Sequence, residues 1–207
     1  MKFTIVMASY LGEYAGASKQ RDQKILRAVQ SCLQQTFTDF ELLIIADGCH
    51  KTVDIINDSV DDDRVRVIKI SRGALFSGAP RNKGIEEAQG EYIIYLDIDD
   101  IYGKNHLSIV NTGLQLYDWV WYNDIRYNPR LKIWYENNCD IRVVGRHGTS
   151  NVCHRTALDT RWEFKGYAHD HYFVQNLLKN SNHAKIQSPE YYVCHVPGTV
   201  TTGGYDL

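Results

Sequence analysis

The chain predicts an α/β fold, a mixed, mainly parallel sheet flanked by helices, and two observations carry that prediction. Strand-length apolar runs alternate with helix-length amphipathic segments through the first half of the chain, the pattern of a sheet covered by crossover helices. Several of those runs are apolar at nearly every position and stop at serine, aspartate or glycine, as strands buried on both faces do.

Residues 3–9 make the first strand. They are too few to cross a membrane and lack a signal peptide's n-region and cleavage site. A loop with Gly12 and Gly16 leads to a helix opened by Asp22 and Gln23, with Ile25, Leu26, Val29, Cys32 and Leu33 on one face. Residues 41–46, closed by Asp47-Gly48, make the second strand; a short helix over 53–59 and a third strand over 64–70 follow. A glycine-containing loop over 71–79 precedes a helix over 80–89, with Pro80 in its first turn and Gly90 as its stop. The fourth strand follows Gly90. Beyond Gly103 the periodicity weakens to a helix over 105–116, β-like segments at 119–127 and 132–136, a helix with Phe173, Val174, Leu177 and Leu178 on one face, and a strand over 191–195.

At 207 residues the chain is expected to be one domain, with residues 1–103 as one half and 104–207 as the other. A net charge of −2 offers no field to attract nucleic acid. Five cysteines without a C-x-x-C suggest neither a disulfide framework nor a cysteine zinc site, and point to a reducing cytoplasm.

The fourth strand ends in Asp97-Ile98-Asp99-Asp100, three carboxylates within four positions. Like charges this close repel and resist desolvation, so a divalent cation or a ligand's hydroxyls would stabilise them; a solvated strand-to-loop junction is the alternative. A calcium loop fails, since Tyr102 stands where glycine is required and Ser108 where a bidentate glutamate belongs. Ser9, Tyr10, Asp47, Arg72 and the 97–100 cluster all fall at carboxyl ends of strands, where such sheets bind ligands, and are expected to share one crevice. Asp61-Asp62-Asp63 precedes a strand and reads as a solvated turn.

Five strings in order resemble family 2 glycosyltransferases: Val6-Met7-Ala8-Ser9-Tyr10, Gln35-Thr36-Phe37-Thr38-Asp39-Phe40-Glu41-Leu42, Ala46-Asp47-Gly48, Pro80-Arg81-Asn82-Lys83-Gly84-Ile85, and the run from Gly90 to Asp100. The resemblance implies the GT-A (Rossmann-like) fold and an inverting transfer from a nucleotide-diphospho-sugar, most often a UDP-sugar, to a glycan or glycolipid acceptor. It makes residues 1–103 the donor-binding half and 104–207 the acceptor half. It implies Mn²⁺ or Mg²⁺, with Asp99 as metal ligand and His195 completing the metal shell or meeting the diphosphate, an ordinary strand-end histidine being the alternative. Asp97 would face the ribose or reach the metal through water, Asp100 would touch the sugar or shape the turn, Asp47 would bind the base, with a turn aspartate before glycine as the alternative, and Ser9 and Tyr10 would line the donor site. Arg81 would stabilise the base or phosphate region, or serve as a surface or salt-bridging arginine. Asp170, in Ala168-His169-Asp170-His171, would be the general base, with a helix N-cap as the alternative. Ala46, Cys49-His50-Lys51 and His169 depart from the family pattern. Peripheral membrane association would come only through the acceptor.

Two other functions fit the fold. A nucleotidyltransferase would need a basic loop after the first strand, where Tyr10-Leu11-Gly12-Glu13-Tyr14 stands; a non-catalytic sugar-nucleotide or glycan-binding module would keep the site without turnover. A dinucleotide enzyme is disfavoured by the lack of G-x-G-x-x-G.

Overall fold

Two adjacent strands form the floor of the molecule: β1 (Phe3–Ser9) and β2 (Phe40–Asp47), the latter buried along its whole length. The computed structural model describes residues 1–194 except 15, 16, 18, 74–76, 129, 164–167, 180, 188 and 189. Around the two strands lie α1 (Arg21–Leu33), α2 (His50–Ser59), β3 (Val65–Ile70), α3 (Gly78–Glu87) and β4 (Tyr92–Tyr95). The rest of the chain adds β5 (Ile101–Tyr102), α4 (His106–Gly113), β6 (Trp119–Trp121), β7 (Asp124–Asn128), β8 (Ile133–Asn137), β9 (Val152–Arg155), α5 (His169–Leu178), β10 (His183–Lys185) and β11 (Tyr191–Val193).

The main sheet has the order β10-β6-β9-β4-β1-β2-β3. β1 pairs in parallel with both β2 and β4, and β2 with β3, while β9 runs antiparallel between β4 and β6. A second sheet, β5-β11-β7-β8, stands apart. The mixed, mainly parallel sheet expected from the sequence is therefore present. Strand alternation sends Ile5 and Met7 into one buried cluster, with Ile25, Val29 and Ile44, and Val6 into another, with Tyr95, Trp162 and Phe173. Stacking of Trp162 on Phe173, with ring centroids 3.9 Å apart, holds α5 against the sheet.

The expected elements differ from these in three places. The 119–127 run is two strands in different sheets, because the chain leaves the main sheet after Trp121 to pair with β8. α2 begins at His50, three residues before Val53. α3 ends at Glu87, with Ala88 already extended, so Gly90 does not stop it. Gly90 instead packs on β1: a Cβ there would lie 2.5 Å from the Phe3 carbonyl carbon and the Thr4 nitrogen. Its N–H donates to Thr4 Oγ1 at 2.9 Å, and the Thr4 hydroxyl donates to buried Glu41 at 2.7 Å. Asp62 pairs with Arg64 at the start of β3, as expected of a turn. Among the described residues, no helix is long and apolar enough to cross a membrane.

Candidate active site

A cleft of about 680 Å³ opens across the carboxyl ends of β2, β1 and β4, within the ~300–1,000 Å³ of pockets that enclose small ligands. Ser9, Tyr10, Asp47, Arg72, Arg81, Asp97, Asp99 and Asp100 all line it. The parallel pairing of β1 with β2 and β4 brings them together, since each strand delivers its last residues to the same edge.

At one end, buried Asp47 accepts a hydrogen bond from the Gly73 N–H at 2.7 Å and pairs with the Arg72 guanidinium. Arg72 in turn lies 3.5 Å above the Tyr10 ring centroid, a cation–π stack. Gly48 has φ +64°, and a Cβ on it would come within 2.8 Å of the Arg72 backbone; glycine there lets the 71–73 segment approach Asp47. The Ser9 hydroxyl is shared with Thr52 of α2 at 2.8 Å.

The acidic loop occupies the middle. Asp100 is buried; its carboxylate accepts from the Tyr191 hydroxyl and from the Cys194 N–H at 2.7 Å, tying β11 beneath the loop. Burial, and then the charges of Asp99 and Asp97, push its pKa well above the ordinary value. Asp97 is raised too, first by its depth in the cleft, while Arg81 opposes. The Arg27 guanidinium holds the Asp99 carbonyl at 2.9 Å, and buried Lys24 lies behind, its pKa lowered by burial against the pull of Asp99. Arg21 braces the 10–14 loop, donating to the Tyr10 carbonyl at 3.0 Å.

Asp170, in the first turn of α5, lies just behind the far end, bonded to Thr149 of the cleft wall. Its Oδ1 accepts from the Thr149 hydroxyl at 2.8 Å and lies 2.8 Å from His169 Nε2. Arg81 spans Asp97 and His169, 3.1 Å from Asp97 Oδ1 and 3.1 Å from His169 Nε2. Burial would raise the Asp170 pKa, but the His169 hydrogen bond, the Arg81 and His169 charges and the Thr149 hydroxyl outweigh it and hold the carboxyl below its usual range.

His195 lies outside the described residues, as do Gly166 and Tyr167 just before the Asp170 segment. Among the described residues, no group of three or more His, Cys, Asp and Glu side chains is placed to hold a metal ion by itself. Sequence reading grouped Arg72 with the site without giving it a role, although its position at the end of β3 was the signal. It passed over Thr149, for which no local pattern exists.

Sheet order and cleft define an α/β protein whose cleft lies at the strand ends, where sheets of this kind bind ligands. The family model for Glycosyl transferase family 2 matches residues 17–187, and the chain belongs to that family. An uncharacterized glycosyltransferase of Haemophilus influenzae is 37% identical over 40% of this chain and 33% of its own length. The Escherichia coli UDP-Glc:alpha-D-GlcNAc-diphosphoundecaprenol beta-1,3-glucosyltransferase is 26% identical over 88% of this chain and 72% of its own. Crystal structures of Staphylococcus aureus TarS 1-349 share the fold: the complex with UDP-GlcNAc superposes with a TM-score of 0.74 at 19% identity, covering 99% of this chain and 62% of that one. The chain thus has the GT-A fold of a glycosyltransferase, and spans less than two thirds of the Haemophilus protein and of TarS 1-349.

Proposed function

We propose that the protein is a metal-dependent, inverting glycosyltransferase that moves a sugar from a UDP-sugar to a hydroxyl of a glycan or glycolipid acceptor in polysaccharide or glycoconjugate synthesis. The observation that carries this reading is one cleft that gathers a base-sized cradle (Asp47, Arg72, Tyr10) with the Asp97 and Asp99 carboxylates, and beside it the carboxylate of Asp170, hydrogen-bonded to cleft-lining Thr149. The E. coli relative, named for a UDP-Glc donor and a diphosphoundecaprenol-linked acceptor, supports the substrate classes. Five buried cysteines suit cytoplasmic action, with membrane contact only through the acceptor.

The carboxylates facing the cleft are hard oxygen donors that suit Mn²⁺ or Mg²⁺, and too few to enclose an ion, so phosphate oxygens of the donor would complete its coordination. Asp99, with His195, would hold that ion, which would neutralise charge growing on the leaving diphosphate. The protein's own residues supply the rest. Tyr10, Arg72 and Asp47 bind the base, Asp97 faces the ribose, and Asp170 takes the acceptor hydroxyl's proton as its oxygen bonds to the anomeric carbon and the nucleoside diphosphate departs from the opposite face.

UDP release from UDP-glucose and UDP-GlcNAc with Mn²⁺ tests the reading, with donor binding followed by calorimetry. Asp99→Ala is expected to lose donor binding; Asp170→Asn is expected to bind donor without turnover. Undiminished turnover in Asp170→Asn rejects the base assignment.

A further inference from the structure

Both described polar contacts to the Asp170 carboxylate, one hydrogen bond and one ion-pair approach, fall on the same oxygen. Oδ1 accepts from the Thr149 hydroxyl at 2.8 Å and faces His169 Nε2 at 2.8 Å. No hydrogen bond to Oδ2 occurs among the described residues, and the side chain keeps 24% exposure. His169 Nε2 also lies 3.1 Å from Arg81 Nη1. One nitrogen cannot donate to Asp170 and accept from Arg81 at once, and the carboxylate, being charged, is the stronger partner for an imidazole N–H. Arg81 keeps its other nitrogen on Asp97.

We propose that His169 and Thr149 are positioning residues that clamp Oδ1 and so assign proton abstraction to Oδ2 of Asp170. This rests on Asp170 being the base and adds which atom reacts and what holds it. Two donors fix the rotation of the carboxylate, so Oδ2 faces one direction when the acceptor hydroxyl arrives; the O–H bond breaks and its proton bonds to Oδ2, the hydroxyl oxygen bonds to the anomeric carbon, and that carbon's bond to the diphosphate breaks, its electron pair leaving with the nucleoside diphosphate. A freely rotating carboxylate would present either oxygen and lose orientation. The charged and titratable groups around Asp170 are Arg81 from α3, Asp97 from the acidic loop, His147 and its own neighbour His169. The same two donors that orient the carboxylate also favour its ionised form.

The experiment compares wild type, Thr149→Val, His169→Leu and His169→Gln, with Asp170→Asn as the reference. Water serves as acceptor, so UDP release from UDP-GlcNAc is read without knowing the natural one. Thr149→Val and His169→Leu are expected to lower kcat about 10–100-fold, as loss of a positioning contact does, with the KM for donor unchanged and the acid limb moved to higher pH. His169→Gln, which keeps an N–H, is expected to recover most of the rate. In parallel, carbon-13 NMR of the Asp170 carboxyl, assigned by its absence in Asp170→Asn, is expected to titrate at higher pH in both donor-loss variants. An unmoved carboxyl titration in both overturns the clamp, whether or not the enzyme turns over. Full UDP release by Asp170→Asn instead overturns the base reading on which the clamp rests.

Discussion

Replacing Arg81 with methionine removes the guanidinium that pairs with Asp97 and lies against His169, next to Asp170. The gross attraction between charges 3.1 Å apart is about 5 kcal/mol at an effective dielectric of about 20. Arg81 is buried, but Asp97 is 42% exposed, so solvent screening reduces the pair to about 1–2 kcal/mol. The guanidinium also lies 5.0 Å from the Trp162 ring centroid, a contact worth about 0.5–1 kcal/mol. Together these amount to ~1.5–3 kcal/mol, or a fall in Tm of about 3–12 °C for a chain of this length. Losing the cation also leaves Asp97 and Asp170 without the charge that lowers both pKa values. The acid limb of UDP release therefore moves to higher pH. Circular dichroism melting and a pH profile of UDP release measure the two effects. Arg81→Lys, which keeps the charge but not the planar stack, is expected to fall between wild type and Arg81→Met. A Tm for Arg81→Met within about 1 °C of wild type, against the ~2–4 °C expected per kcal/mol, would refute the argument.

Asp47→Ala is expected to weaken UDP binding about 10–150-fold, the equivalent of ~1.5–3 kcal/mol for a hydrogen bond to a charged group; calorimetry showing wild-type affinity would remove Asp47 from the base site. Gly90→Ala forces a methyl against the Phe3–Thr4 backbone and should cost about 1–3 kcal/mol or more, read as a lowered urea midpoint at unchanged m-value. His154 is fully buried between the Tyr95 hydroxyl and the Arg155 carbonyl, and burial lowers its pKa from 6.5 to about 4. Between those values the unfolded chain takes up a proton that the native state refuses, so this residue's stability contribution is complete above pH 6.5 and declines on acidification. From pH 7.5 to 5, wild type should lose about 2 kcal/mol more than His154→Gln; parallel urea titrations of the two proteins would contradict this.

The sequence by itself determined the sheet and the acidic edge of the site. Phe3–Ser9 and Phe40–Asp47 are apolar at almost every position because both faces are covered. Parallel strands then have to deliver Ser9, Asp47 and Asp97 to one edge, so local pattern sufficed to gather them. Tertiary structure alone decided the rest. β9 inserts antiparallel between β4 and β6, and the 119–127 run divides between two sheets, because strand pairing depends on partners far away in the chain that leave no local period. Asp100 binds Tyr191, 91 positions distant, and Asp170 receives Thr149, 21 positions before it. A hydrogen-bond partner is selected by direction and distance in the folded molecule, which residue order does not encode one pair at a time. That is why the carboxylates could be read from the sequence, and Thr149 and Tyr191, which donate to two of them, could not.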